Sequence, residues 1–243
     1  MTTLVVGANG ATGRLLVEQL LAQGETVRII VRSTDNLPEL TQKNKQLTIT
    51  ESSVLNMTDV ELNSHVQGCN AVVSCLGHNL NLKGMYGHPR RLVTDSVKRL
   101  CQSIEANKST IPNTPVKFIL MNTTGNKNSQ ASEKISMAEV LVIGLIRFLL
   151  PPHADNEAAA KYLQSSYGES QNTLEWVSVR PDALTNELSV TEYDVHVSPI
   201  RSAIFDSGKT SRINVAHFMS QLISNHEVWN KWKTQMPVIY NAE

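Results

Sequence analysis

Short apolar runs and longer amphipathic stretches take turns along the first three quarters of the chain. "TLVV" (Thr3–Val6) runs without alternation into Gly7, and five further runs follow. They are "TVRIIVR" (Thr26–Arg32), "QLTITESSV" (Gln46–Val54), "AVVSCLG" (Ala71–Gly77), "VKFILMNTTG" (Val116–Gly125) and "LEWVSVRP" (Leu174–Pro181). Most are too uniformly apolar to have one wet face, as befits strands of a parallel sheet covered on both sides. Between them, helical spacing recurs. Leu15, Leu16, Gln19, Leu20 and Gln23 fall in one stretch that Gly24 closes as a C-cap. A polar helix is predicted around Asp59–Val66. A long amphipathic one spans Arg90–Asn107, with Leu92, Val93, Val97, Leu100, Cys101 and Ile104 on one face, and another spans Asn156–Tyr167. Alternating β and α elements with right-handed crossovers predict an α/β fold with a doubly wound parallel sheet, the Rossmann architecture.

Two stretches break the rhythm. Asn126 to Asp155 is polar first and apolar later. Within it, "ISMAEVLVIGLIRFLLPPH" (Ile135–His153) predicts a helix that Pro151 and Pro152 end. Such a helix roofs the active site, makes a homodimer contact or packs into its own core; Glu139 and Arg147 mark its wet side. After Pro181 the regular alternation stops. Glu192–Pro199, Ser211–Asn225 and Met236–Asn241 read as strand, helix and strand, a small substrate cap formed by residues 182–243. Residues 1–243 are read as a single Rossmann-like domain carrying that cap.

Composition narrows the partners. Lys plus Arg and Asp plus Glu are both 22, so the net charge is zero and no electrostatic drive toward nucleic acid or anionic membrane is expected. The most apolar run, Val140–Leu150, is too short for a bilayer and contains Arg147. The first residues enter a strand directly, so no signal peptide is expected. Three scattered cysteines, Cys69, Cys75 and Cys101, form no CxxC pair and suit a reducing cytoplasm. Seven histidines stand singly, so no metal site is expected.

The chemistry begins at "LVVGANGATGR" (Leu4–Arg14). Gly7 permits a tight turn, Gly10 removes a Cβ where an anion approaches the backbone, and Gly13 lets the following helix pack close to the sheet. The helix N-terminus then offers free N–H groups and about half a positive charge to a pyrophosphate. Asn9, Ala11 and Thr12 complete this turn as cofactor-binding candidates. The second strand ends in Arg32, Ser33 and Thr34, where an NAD site usually has an acid for the ribose 2′-OH. A guanidinium with hydroxyls suits a 2′-phosphate, so NADP (NADPH) is the expected cofactor; Asp35 falls three residues late for the usual acid. The alternative for Arg32 is a solvated surface side chain.

"GANGATGRLLVEQLLAQGETVRIIVR" resembles the opening of the atypical short-chain dehydrogenase/reductases, within them the NAD(P)H-binding branch of biliverdin-IXβ reductase/flavin reductases and NmrA-like proteins. The resemblance continues through most of the chain. It implies that Cys75, Leu76 and Gly77 run past the adenine ribose and pyrophosphate, and that Thr123 or Thr124 lies beside the nicotinamide as the catalytic candidate. "WVSVRPDAL" is similar to the branch's sixth-strand turn, which brings in Pro181, and "SRINVAHFMSQLI" to its late helix. Three departures stand out. Ser53, followed by Val54, occupies the place of an Asp near the adenine. Ala160 stands before Lys161 where biliverdin-IXβ reductases have a histidine, although Lys161 can still reach cofactor or substrate. The 126–155 excursion is longer than in the compact flavin reductases.

The larger dehydrogenase group transfers protons with a Tyr-x-x-x-Lys pair. Tyr86, Tyr162, Tyr167 and Tyr193 are followed four places on by Arg90, Ser166, Gln171 and Val197, so that pair is absent. This weighs against carbonyl/alcohol interconversion and against a sugar-nucleotide epimerase. A delocalised acceptor such as a flavin, quinone or bilin can still take hydride, the protein's task being to orient two flat rings. The expected function is therefore an NADPH-dependent reductase of such an acceptor, cytoplasmic, monomeric or homodimeric. The alternative is a non-catalytic NmrA-like redox sensor acting through a protein partner. His78 and His88 flank the loop after the fourth strand and read as surface histidines that could touch substrate.

Overall fold

The structure, a computed structural model, describes residues 1–79, 81–108, 114–128, 131, 133, 142, 144–145, 147, 149–168 and 173–242. Most of the helix expected over Ile135–His153 lies outside the described residues.

The expected alternation is present: β1 (Thr2–Val6), α1 (Ala11–Ala22), β2 (Thr26–Val31), α2 (Glu39–Gln42), β3 (Leu47–Glu51), α3 (Asp59–Val66), β4 (Ala71–Ser74), α4 (Leu82–Tyr86), α5 (Leu92–Ala106), β5 (Val116–Met121), α6 (Pro151–Ser166) and β6 (Leu174–Pro181). The C-terminal part adds β7 (Ala183–Thr185), β8 (Tyr193–His196), β9 (Lys209–Ser211), α7 (Arg212–Ser224), α8 (His226–Trp232) and β10 (Val238–Asn241). The main sheet has the order β3-β2-β1-β4-β5-β6-β10-β8, parallel throughout except for β8, which pairs antiparallel with β10.

Side chains alternate faces along each strand. Leu4, Val6, Val72, Phe118 and Leu120 point to a core shared with α3, α5 and α6. Val5, Val73, Ile119 and Val177 point to the other core, shared with α1, α7 and α8. That two-sided burial explains why the strands read as continuous apolar runs. Gly24, at φ +79°, closes α1 with its N–H on the Leu21 carbonyl. Pro151 and Pro152 open α6, where a missing N–H is no loss.

The 182–243 segment divides between layers. β10 and β8 extend the main sheet beyond β6, because Val238, Ile239 and Tyr240 are buried there, and α7 packs beside α1 on the sheet's face. Outside the main sheet stand the two-stranded β7–β9 pair and the connections around it.

On α7, burial lowers the His217 pKa, and Tyr193 Oη stands 2.9 Å from its Nδ1. The folded value lies below the unfolded one, so the unfolded chain takes up the proton first as pH falls. This stability is complete above the ordinary value of 6.5 and is lost as pH falls through the folded value. Urea unfolding is expected to show a stability decline from neutral pH into the mildly acidic range, shallower in His217→Gln. Equal slopes in the two proteins would remove His217 as a cause.

Candidate cofactor and active site

The strand order reverses between β1 and β4, and that is where the chain opens a crevice at the strands' carboxyl ends. Gly7 sits at its floor with φ +76°, and a Cβ there would stand 2.5 Å from the Cys75 carbonyl carbon and oxygen. Gly13 faces the Gly7 carbonyl so closely that a Cβ would come to 2.3 Å. Gly10 is different: its missing Cβ would meet just the Gly7 oxygen, at 3.1 Å, and its other side faces the cavity. So two glycines hold backbone against backbone, while the third keeps the rim bare. Gly10 is also the N-cap of α1; no side chain caps that helix and its first turn carries no acid. The helix N-terminus therefore presents its N–H groups and positive end to the crevice, the donor set a pyrophosphate needs.

The cavity has a volume of about 480 Å³. It brings together Gly7, Asn9, Gly10, Arg32, Ser33, Ser53, Val54, Cys75, Leu76 and Gly77 from the expected set. Ala11, Thr12 and Gly13 form the first turn of α1 behind the rim. Arg32 is exposed at the end of β2 and, among the described residues, has no hydrogen-bond or ion-pair partner. Asp35 also lines the cavity, its N–H donated to the Ser33 hydroxyl at 3.1 Å. Asn36 closes the rim by donating to Asn9 Oδ1 at 3.1 Å and accepting from Arg14 at 3.2 Å. Asn36, Asn79, Leu92 and Ser96 line the cavity as well; their loop and helix positions carry no motif that reading the sequence could pick out.

The ends of β5 and β6 stand outside the lining of that cavity. Thr124 is buried: its N–H reaches the Pro181 carbonyl at 3.1 Å, and its hydroxyl donates to Asp182. Burial raises the Asp182 pKa, against the opposing hydrogen bonds from Gly208 N–H and Thr124. Thr124 thus ties the two strand ends together. Thr123 is half-buried, its hydroxyl accepting the Gly125 N–H at 3.3 Å. Beside it stands His153 of α6, whose Cε1 lies 3.0 Å from where a Cβ on Gly125 would be. Lys161, also on α6, is exposed and does not line the cavity, and Pro181 contributes through its carbonyl.

The loop after β4 departs from expectation at His78. This histidine is buried, not a surface residue. Its Nε2 lies 2.8 Å from Asp155 Oδ2 and its Nδ1 3.1 Å from the Gly84 carbonyl. Asp155 in turn accepts the N–H groups of Val93 and Thr94 at the start of α5. The histidine therefore anchors the loop to two helices. His88 is exposed.

The model of the NAD(P)H-binding family matches residues 7–226, from the glycine turn to the start of α8. The chain belongs to that family. This upholds the NAD(P)H-binding reading of the glycine turn, and the structural neighbours uphold the Rossmann fold. No curated protein matches the sequence. Solved structures do. A short-chain dehydrogenase/reductase from Veillonella parvula in complex with NADP aligns with TM-score 0.70 at 13% identity, over 99% of this chain and 94% of that one. A candidate NADH-flavin reductase from Streptococcus pneumoniae gives 0.65 at 15% identity, over the whole of both chains. ChuY, described as an anaerobillin reductase from Escherichia coli O157:H7, gives 0.66 at 15%, over 100% and 98%. At these identities the likeness is one of fold. Among the described residues no helix is long and apolar enough to cross a membrane.

Proposed function

We propose that the protein is an NADPH-dependent reductase that passes hydride to a flat conjugated acceptor of the flavin, quinone or bilin type. The observation that carries this is the pairing of a dinucleotide crevice with a ring end that lacks the tyrosine–lysine pair of alcohol dehydrogenation. The glycine turn and the bare α1 N-terminus would hold the pyrophosphate, Ser53 and Val54 would lie by the adenine, and Cys75–Gly77 would run along the ribose. When bound, the reduced nicotinamide supplies two electrons and a hydrogen as hydride. The chain's part is then to orient the acceptor at the ends of β5 and β6, where Thr123 offers a hydroxyl and Thr124 with Asp182 keeps the strand ends fixed. Names borne by structural neighbours, a candidate flavin reductase and a bilin reductase, support this choice of acceptor class. The three unpaired cysteines fit work in a reducing cytoplasm.

Steady-state NADPH oxidation with a panel of flavins, quinones and bilins tests the reading. Turnover with one class supports it; tight NADP binding with no turnover against any acceptor points instead to a redox sensor of the NmrA type. Coenzyme choice has its own test. Among the described residues Arg32 is the unpaired cation on the cavity wall, and Asp35 is an acid beside it. Loss of a charge-assisted phosphate contact costs about 1.5–3 kcal/mol, a factor of about ten to a hundred. Arg32→Ala is therefore expected to weaken NADPH binding by that factor and leave NADH binding nearly unchanged, measured by calorimetry. A mutant that keeps the full preference would show that Arg32 is not the selector.

A further inference from the structure

His153 and Glu157 are one helical turn apart at the start of α6, on the side that meets the β5 turn. The His153 ring is 13% exposed. Its Nε2 is buried and faces Glu157 Oε1 at 3.6 Å, with no closer hydrogen-bond partner among the described residues. The opposite ring edge, Cε1 and Nδ1, lies 3.0 and 3.6 Å from the point a Gly125 Cβ would fill, and Thr123 Oγ1 lies 3.8 Å from that same point. Gly125, lacking a Cβ, therefore lets the imidazole edge and the Thr123 hydroxyl face each other across a gap narrower than a methyl group at the end of β5. Behind the ring, Arg147 donates from Nε and a terminal nitrogen to the two Glu157 oxygens, at 2.6 and 2.8 Å. Burial works against the charged form of Glu157, yet the neighbouring His153 imidazole and the hydrogen-bonded Arg147 guanidinium outweigh it and hold the carboxyl at about 2. A permanent carboxylate thus backs the imidazole, and Arg147 fixes its orientation. Thr123 and Gly125, across the gap, carry no charge.

We propose that His153 is the proton donor of the reaction, with Glu157 and Arg147 as the positioning residues that keep its ring oriented. The proposal rests on the reductase reading above. Hydride added to one end of a neutral conjugated acceptor pushes an electron pair to the other end, leaving a nitrogen or oxygen anion. His153 delivers the proton on Nδ1 there: that N–H bond breaks, an N–H or O–H bond forms on the acceptor, and water returns a proton to the ring. The acceptor gains two electrons, one hydrogen from the coenzyme and one from the protein, and the nicotinamide is left oxidised. This replaces the missing tyrosine–lysine pair by a histidine–glutamate pair at the same i, i+4 spacing.

The test uses the intact protein with two kinds of acceptor. FMN, assayed in mildly acidic buffer, and menadione take up a proton as well as hydride. N-methylacridinium is a cation that hydride alone neutralises. His153→Gln is expected to slow single-turnover reduction of FMN and menadione by about 10²-fold, within the range general acid catalysis supplies, and to leave N-methylacridinium reduction within a few-fold of wild type. Glu157→Gln is expected to fall between them with the same selectivity. A readout independent of turnover is the His153 ring C–H resonance in the NADP⁺-loaded protein, expected to shift when FMN is added. Equal losses with both kinds of acceptor, no loss with either, or a resonance indifferent to FMN would each overturn the donor role while leaving the reductase reading standing. A folded wild type that binds NADP but reduces none of the three would overturn that reading and the donor role with it. Melting temperature and NADP affinity close to wild type exclude misfolding of the variants as the cause.

Discussion

Replacing Gly7 by alanine is expected to cost both the fold's stability and its hold on the dinucleotide. Two penalties coincide at this position. The backbone is left-handed, at φ +76°, which costs an L-residue about 1–2 kcal/mol. A Cβ would also stand 2.5 Å from the Cys75 carbonyl and 2.7 Å from the Leu76 nitrogen. Those are backbone atoms at the end of β4, and no rotamer change relieves them; β1 and β4 must part at the crevice. Overpacking of this sort adds about 1–3 kcal/mol. Gly68 provides the control, because it has φ +73° and nothing within 4 Å of its would-be Cβ. Gly68→Ala should therefore show the conformational penalty alone. In urea unfolding, Gly7→Ala is expected to lose clearly more than Gly68→Ala, and calorimetry is expected to find NADP binding abolished in the first and retained in the second. Equal losses would mean that the turn yields and that the crowding seen at Gly7 carries no energetic weight.

The parts of this protein that were legible in the sequence are those specified locally. Six short runs, most of them buried on both faces and β3 at the sheet's edge, announce a parallel sheet, and a glycine turn between β1 and α1 has one geometric reading. The cavity then gathers Gly7, Gly10, Arg32, Ser53 and Cys75–Gly77 because each follows directly from the end of a strand. What escaped depends on distant partners. "MPVIYN" and "EYDVHVSP" are short strands whose place in the sheet is decided by the free edge of β6, so the sequence shows the strands and not their address. β7 and β9 are three residues each, too short for any period. His78 looks like a loop residue until Asp155, 77 positions later, is brought against it. His153 hides for the same reason: a search for a tyrosine four residues before a lysine passes over it, and its meeting with Thr123 and Gly125 needs α6 packed against the end of β5. Arg180 read as half of an "RP" turn, with nothing to say that it is buried.

That burial makes Arg180→Met the second large expected effect. Arg180 is 0% exposed within β6. Its Nε donates to the Met236 carbonyl at 2.7 Å, one terminal nitrogen to Asn126 at 2.9 Å, and the other to Glu133 Oε1 at 2.7 Å. Glu133 uses its second oxygen to accept the Asn128 N–H at 2.8 Å. One guanidinium thus joins β6, the approach to β10 and the turn beyond Thr123 and Thr124. Methionine fills much of the volume but leaves a buried carboxylate and three carbonyls, those of Met236, Asn126 and Val197, without their donor. Removing one partner of a buried pair costs about 3–5 kcal/mol. For a chain of this size that is a fall in melting temperature of roughly 6–20 °C. Arg180→Lys is expected to rescue little, since a single ammonium cannot reach three directions as the fork does. The double variant Arg180→Met/Glu133→Gln is expected to recover part of the loss, because the uncompensated charge is gone. A double variant no more stable than the single would show that the lost carbonyl contacts, and not the orphaned carboxylate, set the cost. NADP affinity offers a second reading of the same variant. The dinucleotide crevice lies between β1 and β4, away from Arg180, whereas Asn126 is two residues past Thr124. Binding should therefore hold near wild type while reduction of the acceptor falls, and a fall in binding as large as the fall in turnover would show that the disturbance reaches the whole crevice.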